Sequence, residues 1–106
     1  MKTIKFTPEN LKRHLRAHRR VIFTTRDKVI GSIGDVFKIE GAGYFIICGC
    51  DHYESGERSK LVDDYWKVEG FESGQTFNKE LTRIYPKSCD LYVFKLTEVF
   101  LTEDEE

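Results

Sequence analysis

Residues 21–35 read VIFTTRDKVIGSIGD, and how this stretch is parsed decides the rest of the chain. Val21 to Arg26 is apolar and β-branched at first and polar at its end, which predicts a β-strand running into a loop closed by Gly34 and Asp35. Successive side chains of a strand alternate between faces, so Ile22, Thr24 and Arg26 project one way while Val21, Phe23 and Thr25 project the other. The Thr24 hydroxyl and the Arg26 guanidinium therefore share a surface. A hydroxyl beside a planar fork of N–H donors suits a phosphate or a carboxylate. The competing reading is that Arg26 pairs with Glu69 or Asp35 and simply holds the loop.

Before this stretch, Ile4 to Phe6 reads as a short edge or closing strand, and Thr7-Pro8 as the cap and first position of a helix ending near His18. Leu11 and Leu15 give that helix its buried stripe and leave Lys12, Arg13, Arg16 and Arg19 largely outward. Val36 to Ile39 and Tyr44 to Cys50 read as a β-hairpin, followed by a polar loop from Asp51 to Ser59. Leu61, Val62, Tyr65 and Trp66 fit a short helix interrupted at Gly70. Ser73 caps a second long helix carrying Phe77, Leu81 and Ile84, which Tyr85-Pro86 stops. Leu91 to Leu96 is a strand, extended after a bend by Val99 to Leu101, and residues 103–106 form an acidic tail. This order predicts an α+β fold, a small mixed β-barrel with helices packed over its openings.

At 106 residues the chain has room for one core and hence one domain. Its apolar content of 40% and charged content of 33% are those of a globular protein, and no apolar run is long enough to cross a bilayer. The first ten residues lack a secretory signal pattern, and 3 cysteines make no disulfide framework, so the expected location is the cytoplasm. Charge is unevenly spread: nine basic and two acidic residues stand up to Lys28, eight and sixteen after it. Arg13, Arg16, Arg19, Arg20 and Lys28 are thus candidates for contacting a polyanion, or else the solvated face of a helix.

Trp66, Tyr65 and Phe71 lie near Glu69 in sequence. An aromatic such as Trp66 beside a basic groove would stack on a base, although core packing is the commoner use of such side chains. Glu69 could accept a proton from an exocyclic amine, as carboxylates do with cytosine, or cap a helix or neutralise Arg26. Cys48, Cys50 and His52 alternate and would share a face of an unbroken strand, but with Cys89 they do not have zinc-knuckle spacing. No metal or other cofactor is expected. The sequence has no glycine-rich phosphate loop, and its spacing assembles no Ser/His/Asp or Cys/His triad.

Thr24-Thr25-Arg26-Asp27, Ile33-Gly34-Asp35-Val36-Phe37, Trp66-Lys67-Val68-Glu69-Gly70-Phe71, Phe77 in the following helix, Tyr85-Pro86 and the strand Leu91 to Leu96 occur in this order. In these pieces, from about Leu11 to Phe100, the chain resembles the ASCH domain family. The resemblance implies a barrel similar to the PUA RNA-binding domain, binding RNA or a nucleotide-like ligand in a cleft near Thr24, Arg26 and Glu69. One bacterial branch of the family looks like amidohydrolases of N4-acetylcytidine that use a lysine, a threonine three residues later, and a glutamate. Thr24 and Glu69 match the last two, whereas Val21 stands at the lysine position and can neither take nor give a proton. A binding module is the reading drawn from these residues. The amidohydrolase and a protein-interaction module are its alternatives, and the sequence leaves the oligomeric state open.

Overall fold

The computed structural model describes residues 2–17 and 20–100, with the side chains of Lys2, Pro8, Arg16 and Ala17 outside that description. Strand β1 (Lys2–Ile4) leads to helix α1 (Pro8–Ala17), then to β2 (Val21–Arg26), β3 (Val36–Ile39) and the long β4 (Gly43–Tyr53). A 3-10 turn over Ser55–Glu57 opens α2 (Arg58–Tyr65), and α3 (Gly74–Ile84) and β5 (Leu91–Val99) complete the order. Among the described residues no helix is long and apolar enough to cross a membrane.

Both expected helix caps form. Thr7 Oγ1 accepts the Asn10 N–H at 3.2 Å, and Ser73 Oγ accepts the Thr76 N–H at 3.2 Å. Each satisfies one of the amides that the first turn of a helix leaves without a partner. The segment between α2 and α3 turns at Gly70, whose φ of 87° lies in the left-handed region.

The strands make one five-stranded mixed sheet in the order β1-β3-β4-β5-β2. β1 runs parallel to β3, and every other pairing is antiparallel. The α+β class is as expected from the sequence. The barrel is not closed by strand pairing among the described residues: β1 and β2 are edges. Arg26 at the end of β2 reaches across to the other edge, donating from Nη2 to the Lys5 carbonyl beyond β1 at 3.4 Å.

Two apolar cores lie on the sheet's two faces. Ile4, Ile22, Phe37, Ile39, Phe45, Ile47, Phe94 and Leu96 form the first, covered by Leu11 and Leu15 of α1. Tyr53, Leu61, Val62, Phe77, Leu81, Leu91 and Val93 form the second, beneath α2 and α3. The alternation along β5 serves both, Leu91 and Val93 facing one core and Phe94 and Leu96 the other. Gly31 has no room for a side chain. A Cβ there would stand 2.8 Å from Asp35 Oδ2 and 2.9 Å from Phe37 Cζ, so the loop from residue 27 to 35 can lie against the first core.

The first strand spans Lys2–Ile4, not Ile4 to Phe6 as expected, because its pairing with β3 ends at Ile4, and two features of β4 also differ from the sequence reading. β4 continues to Tyr53 where a loop was expected from Asp51, because Asp51, His52 and Tyr53 pair with Val93, Tyr92 and Leu91. An exposed and polar stretch can stay in a ladder when its partner strand is long enough to hold it. The second concerns Cys48, which a β-bulge between Ile47 and Gly49 leaves unmatched on β5. A bulge shifts the alternation by one residue. Cys48 Sγ sits 3.1 Å from Thr97 Oγ1, whereas the His52 ring stacks on Tyr92 at 4.7 Å and meets Asp90 at 3.0 Å. Cys48 and His52 therefore do not share a face, contrary to the unbroken-strand reading. Among the described residues, no group of three or more His, Cys, Asp or Glu side chains converges.

Candidate functional site

A cleft of about 230 Å³ crosses the free edge of β2 between α1 and α3. An edge strand lets side chains from both of its faces reach one hollow, and here Thr24, Thr25 and Arg26 all line it. α1 contributes Arg13 and His14, and the segment after α2 contributes Glu69 and Phe71. Tyr85, at the end of α3, donates from its hydroxyl to the Thr25 carbonyl at 3.4 Å. Thr24, Arg26 and Glu69 are thus brought to one concavity, as the sequence predicts, but their pairing differs.

Arg26 Nε donates to Thr24 Oγ1 at 3.1 Å, and its guanidinium lies 5.1 Å from the centre of the Phe6 ring. Its hydrogen bonds go to a hydroxyl and a carbonyl, so neither Glu69 nor Asp35 holds it; Asp35 instead accepts the Ser32 N–H. Thr24, 4% exposed, is occupied by that bond. It is Thr25, on the opposite face, that donates to Glu69 Oε2, at 2.6 Å.

Glu69 is 3% exposed. Burial pushes its carboxyl up to about 8, against the opposing pull of the Thr25 hydrogen bond and of Arg13 and Arg26. The carboxyl is therefore largely protonated at neutral pH, a donor as well as an acceptor.

Arg13 is held on every side. Its Nε donates to the Glu69 carbonyl at 3.0 Å, Nη1 to Asn10 Oδ1 at 2.5 Å, and the guanidinium lies 4.0 Å over the Phe71 ring. Phe71 in turn stacks on Phe77, ring centres 4.6 Å apart. A guanidinium fixed in this way loses little entropy when a ligand arrives.

Nη2 of Arg13 stands 3.3 Å from His14 Nε2. Arginine only donates, so Nε2 accepts and the imidazole proton is on Nδ1. His14 is 3% exposed, and burial, then Arg13 and Arg26, hold it neutral with a pKa lowered to about 3. Its Nδ1 is the one buried side-chain polar atom among the described residues with no hydrogen-bond partner.

The other candidates lie elsewhere. Trp66 packs against the second core and does not line the cleft, which answers the stacking question for this residue in favour of packing. Lys28 is exposed and outside the cleft. Arg20 precedes β2, at the opposite end from Arg26, with its guanidinium 5.8 Å from the Phe100 ring. The side chain of Arg16 and all of Arg19 fall outside the described residues. Among the described side chains, Arg13 is the proposed basic residue of α1 that reaches the cleft.

His14, Thr25, Tyr85 and Lys5 line the cleft without having been singled out as site residues. His14 carried a signal, since it stands three residues after Leu11 on the helix face that Leu11 and Leu15 bury. For Thr25 there was none. Whether Thr24 or Thr25 meets Glu69 depends on the path of a segment more than forty residues away. Comparison with protein-family models, curated proteins and solved structures gave no match to this chain.

Proposed function

We propose that the chain is an ASCH-type binding module, a PUA-like barrel left open along β2, that takes an RNA nucleotide or a nucleotide-like small ligand in the cleft between α1 and α3. One observation carries the reading. Arg13, His14, Thr24, Thr25, Arg26 and Glu69, distant in sequence, converge on a single small hollow in which two guanidiniums have unused donors. A largely protonated Glu69 presents both a donor and an acceptor, which suits the mixed edge of a base such as cytosine. The volume suits a single flipped-out nucleotide, and recognition of unstacked bases is how single-stranded RNA is read. In a cytoplasmic setting such ligands are abundant.

The expected result is saturable binding of labelled single-stranded RNA or of free nucleotides at micromolar protein and low salt. Affinity should fall as salt rises, because phosphate contacts release counterions. Arg13→Ala should weaken binding by about tenfold or more, the loss expected for a charge-assisted contact. Absence of binding at low salt with every nucleotide tested removes the reading.

A second reading is favoured by the 2.6 Å contact between Thr25 and Glu69. A hydroxyl beside a carboxyl of raised pKa, which serves as the base in its deprotonated fraction, is the minimum arrangement of a nucleophile and its base. As an amidohydrolase of an N4-acetylcytidine-like substrate, the protein would use Thr25 in place of Thr24, whose oxygen is engaged by Arg26. Release of cytidine from N4-acetylcytidine, lost in Thr25→Val and kept in Thr24→Ala, is the expected result. An unchanged substrate after prolonged incubation at high protein concentration retires it.

A further inference from the structure

The polar groups of the cleft do not balance. Of five N–H groups on Arg13, three hydrogen bonds account for one each, to Glu69 O, Asn10 Oδ1 and His14 Nε2. Arg26 spends one on Thr24 Oγ1 and one on Lys5 O. The Nδ1–H of His14 has no acceptor at all. The Thr25 and Tyr85 hydroxyls point their hydrogens at Glu69 and at the Thr25 carbonyl. Donors therefore outnumber acceptors in the hollow.

The charges do not balance either. Among the described residues no ion pair reaches Arg13 or Arg26: those between fully charged groups join Lys38 to Glu40 and Arg83 to Glu80. Glu80 also lines the cleft, but Arg83 Nε holds it at 2.5 Å. Two partly buried guanidiniums with no carboxylate in direct contact are costly, even with Glu80 acting on Arg13 and Asp27 on Arg26 across a longer gap, and so is a buried donor without an acceptor. Both are relieved by the same thing, a compact group bearing several acceptor oxygens and negative charge.

We infer that the cleft binds its ligand by an oxyanion, the phosphate of a nucleotide, placed between the unused N–H groups of Arg13 and Arg26 and reached by the Nδ1–H of His14. The inference rests on the nucleotide reading above and sharpens it: the preferred ligand is a nucleoside monophosphate, not the nucleoside. His14 then has two tasks. Its Nε2 orients Arg13, and its Nδ1–H contributes a neutral donor that adds no charge to repel the guanidiniums.

Isothermal titration of the whole chain at neutral pH with cytidine and adenosine, their 5′-monophosphates and inorganic phosphate tests this. The monophosphates are expected to bind at least tenfold tighter than the nucleosides. His14→Phe, which keeps a ring but loses both nitrogens, should cut monophosphate affinity several-fold more than nucleoside affinity, so that the gap between the two narrows. Arg26→Gln is the second variant should His14→Phe fail to fold, with the same expected pattern. Equal affinity for nucleoside and monophosphate overturns the inference and leaves the nucleotide reading standing. Inorganic phosphate binding as tightly as the monophosphates supports the oxyanion site and overturns the nucleotide reading. No binding of any of the five overturns both.

Discussion

Thermal unfolding followed across pH is expected to trace a plateau between about pH 4.5 and 6.5, with stability falling on either side. Glu69 and His14 produce this shape with opposite signs. The folded Glu69 has its pKa raised from 4.5 to about 8, so between those values the folded protein holds a proton that the unfolded chain has lost. Its contribution is complete below pH 4.5 and is lost as pH rises to 8. The folded His14 has its pKa lowered from 6.5 to about 3, so between those values the unfolded chain holds the extra proton. Its neutral form costs nothing above pH 6.5 and progressively more as pH falls towards 3.

From pH 4.5 to 6.5 the two effects cancel, because each state carries one proton on this pair. Above 6.5 only Glu69 acts, and stability should fall by about 1.4 kcal/mol per pH unit, or about 2 kcal/mol by pH 8. For a chain of this size that lowers the melting temperature by about 8 °C or more. Glu69→Gln, which keeps the shape and cannot ionise, should abolish the alkaline limb, and its acid limb should begin at about pH 6.5 because nothing then offsets His14. A melting temperature that is level from pH 6.5 to 9, or an alkaline limb that survives in Glu69→Gln, contradicts the burial of this carboxyl in its protonated form.

Phe94→Ala is expected to cost about 3 to 5 kcal/mol in chemical denaturation, the usual penalty for emptying a fully buried aromatic site. Phe94 is 0% exposed in the first core, and its backbone register places it between Thr24 of β2 and Cys50 of β4. Shrinkage of the cavity is resisted because both neighbours are themselves held in ladders. Since small domains are stable by only about 5 to 15 kcal/mol, the variant should be partly unfolded at physiological temperature. The neighbouring Lys95→Ala, on an exposed position, should change stability by less than about 1 kcal/mol. A loss below 1 kcal/mol for Phe94→Ala would mean that the first core is not packed as described.

Much of the fold could be read from local signals. The Thr7 and Ser73 caps, the Leu11 and Leu15 stripe, the hairpin turn and the strand at Leu91 each depend on residues within one or two turns of one another, and all are present. Closure of the barrel was not legible, because it depends on whether two strands at opposite ends of the sheet order come into register. The site divides in the same way. Thr24 and Arg26 share a face by strand geometry alone, and they meet. That Glu69 is engaged by Thr25, and that Trp66 turns towards the second core, are set by how the segment between α2 and α3 is docked, which no periodicity records. The basic character of α1 pointed to the right helix, yet Arg13 enters the site because Asn10, His14, Glu69 and Phe71 each hold one part of it.

The bulge in β4 bears on which changes of length the fold can absorb. Ile47 and Gly49 already oppose adjacent residues of β5, Leu96 and Lys95, so a chain lacking Cys48 would keep every later side chain on its present face. Loss of one residue from Cys50 to His52, with the pairing before it kept, would instead move Tyr53 to the exposed register position of His52 and withdraw it from the second core. Cys48 is thus a spare link, and a shortened β4 would retain both cores if the missing residue were taken from that point.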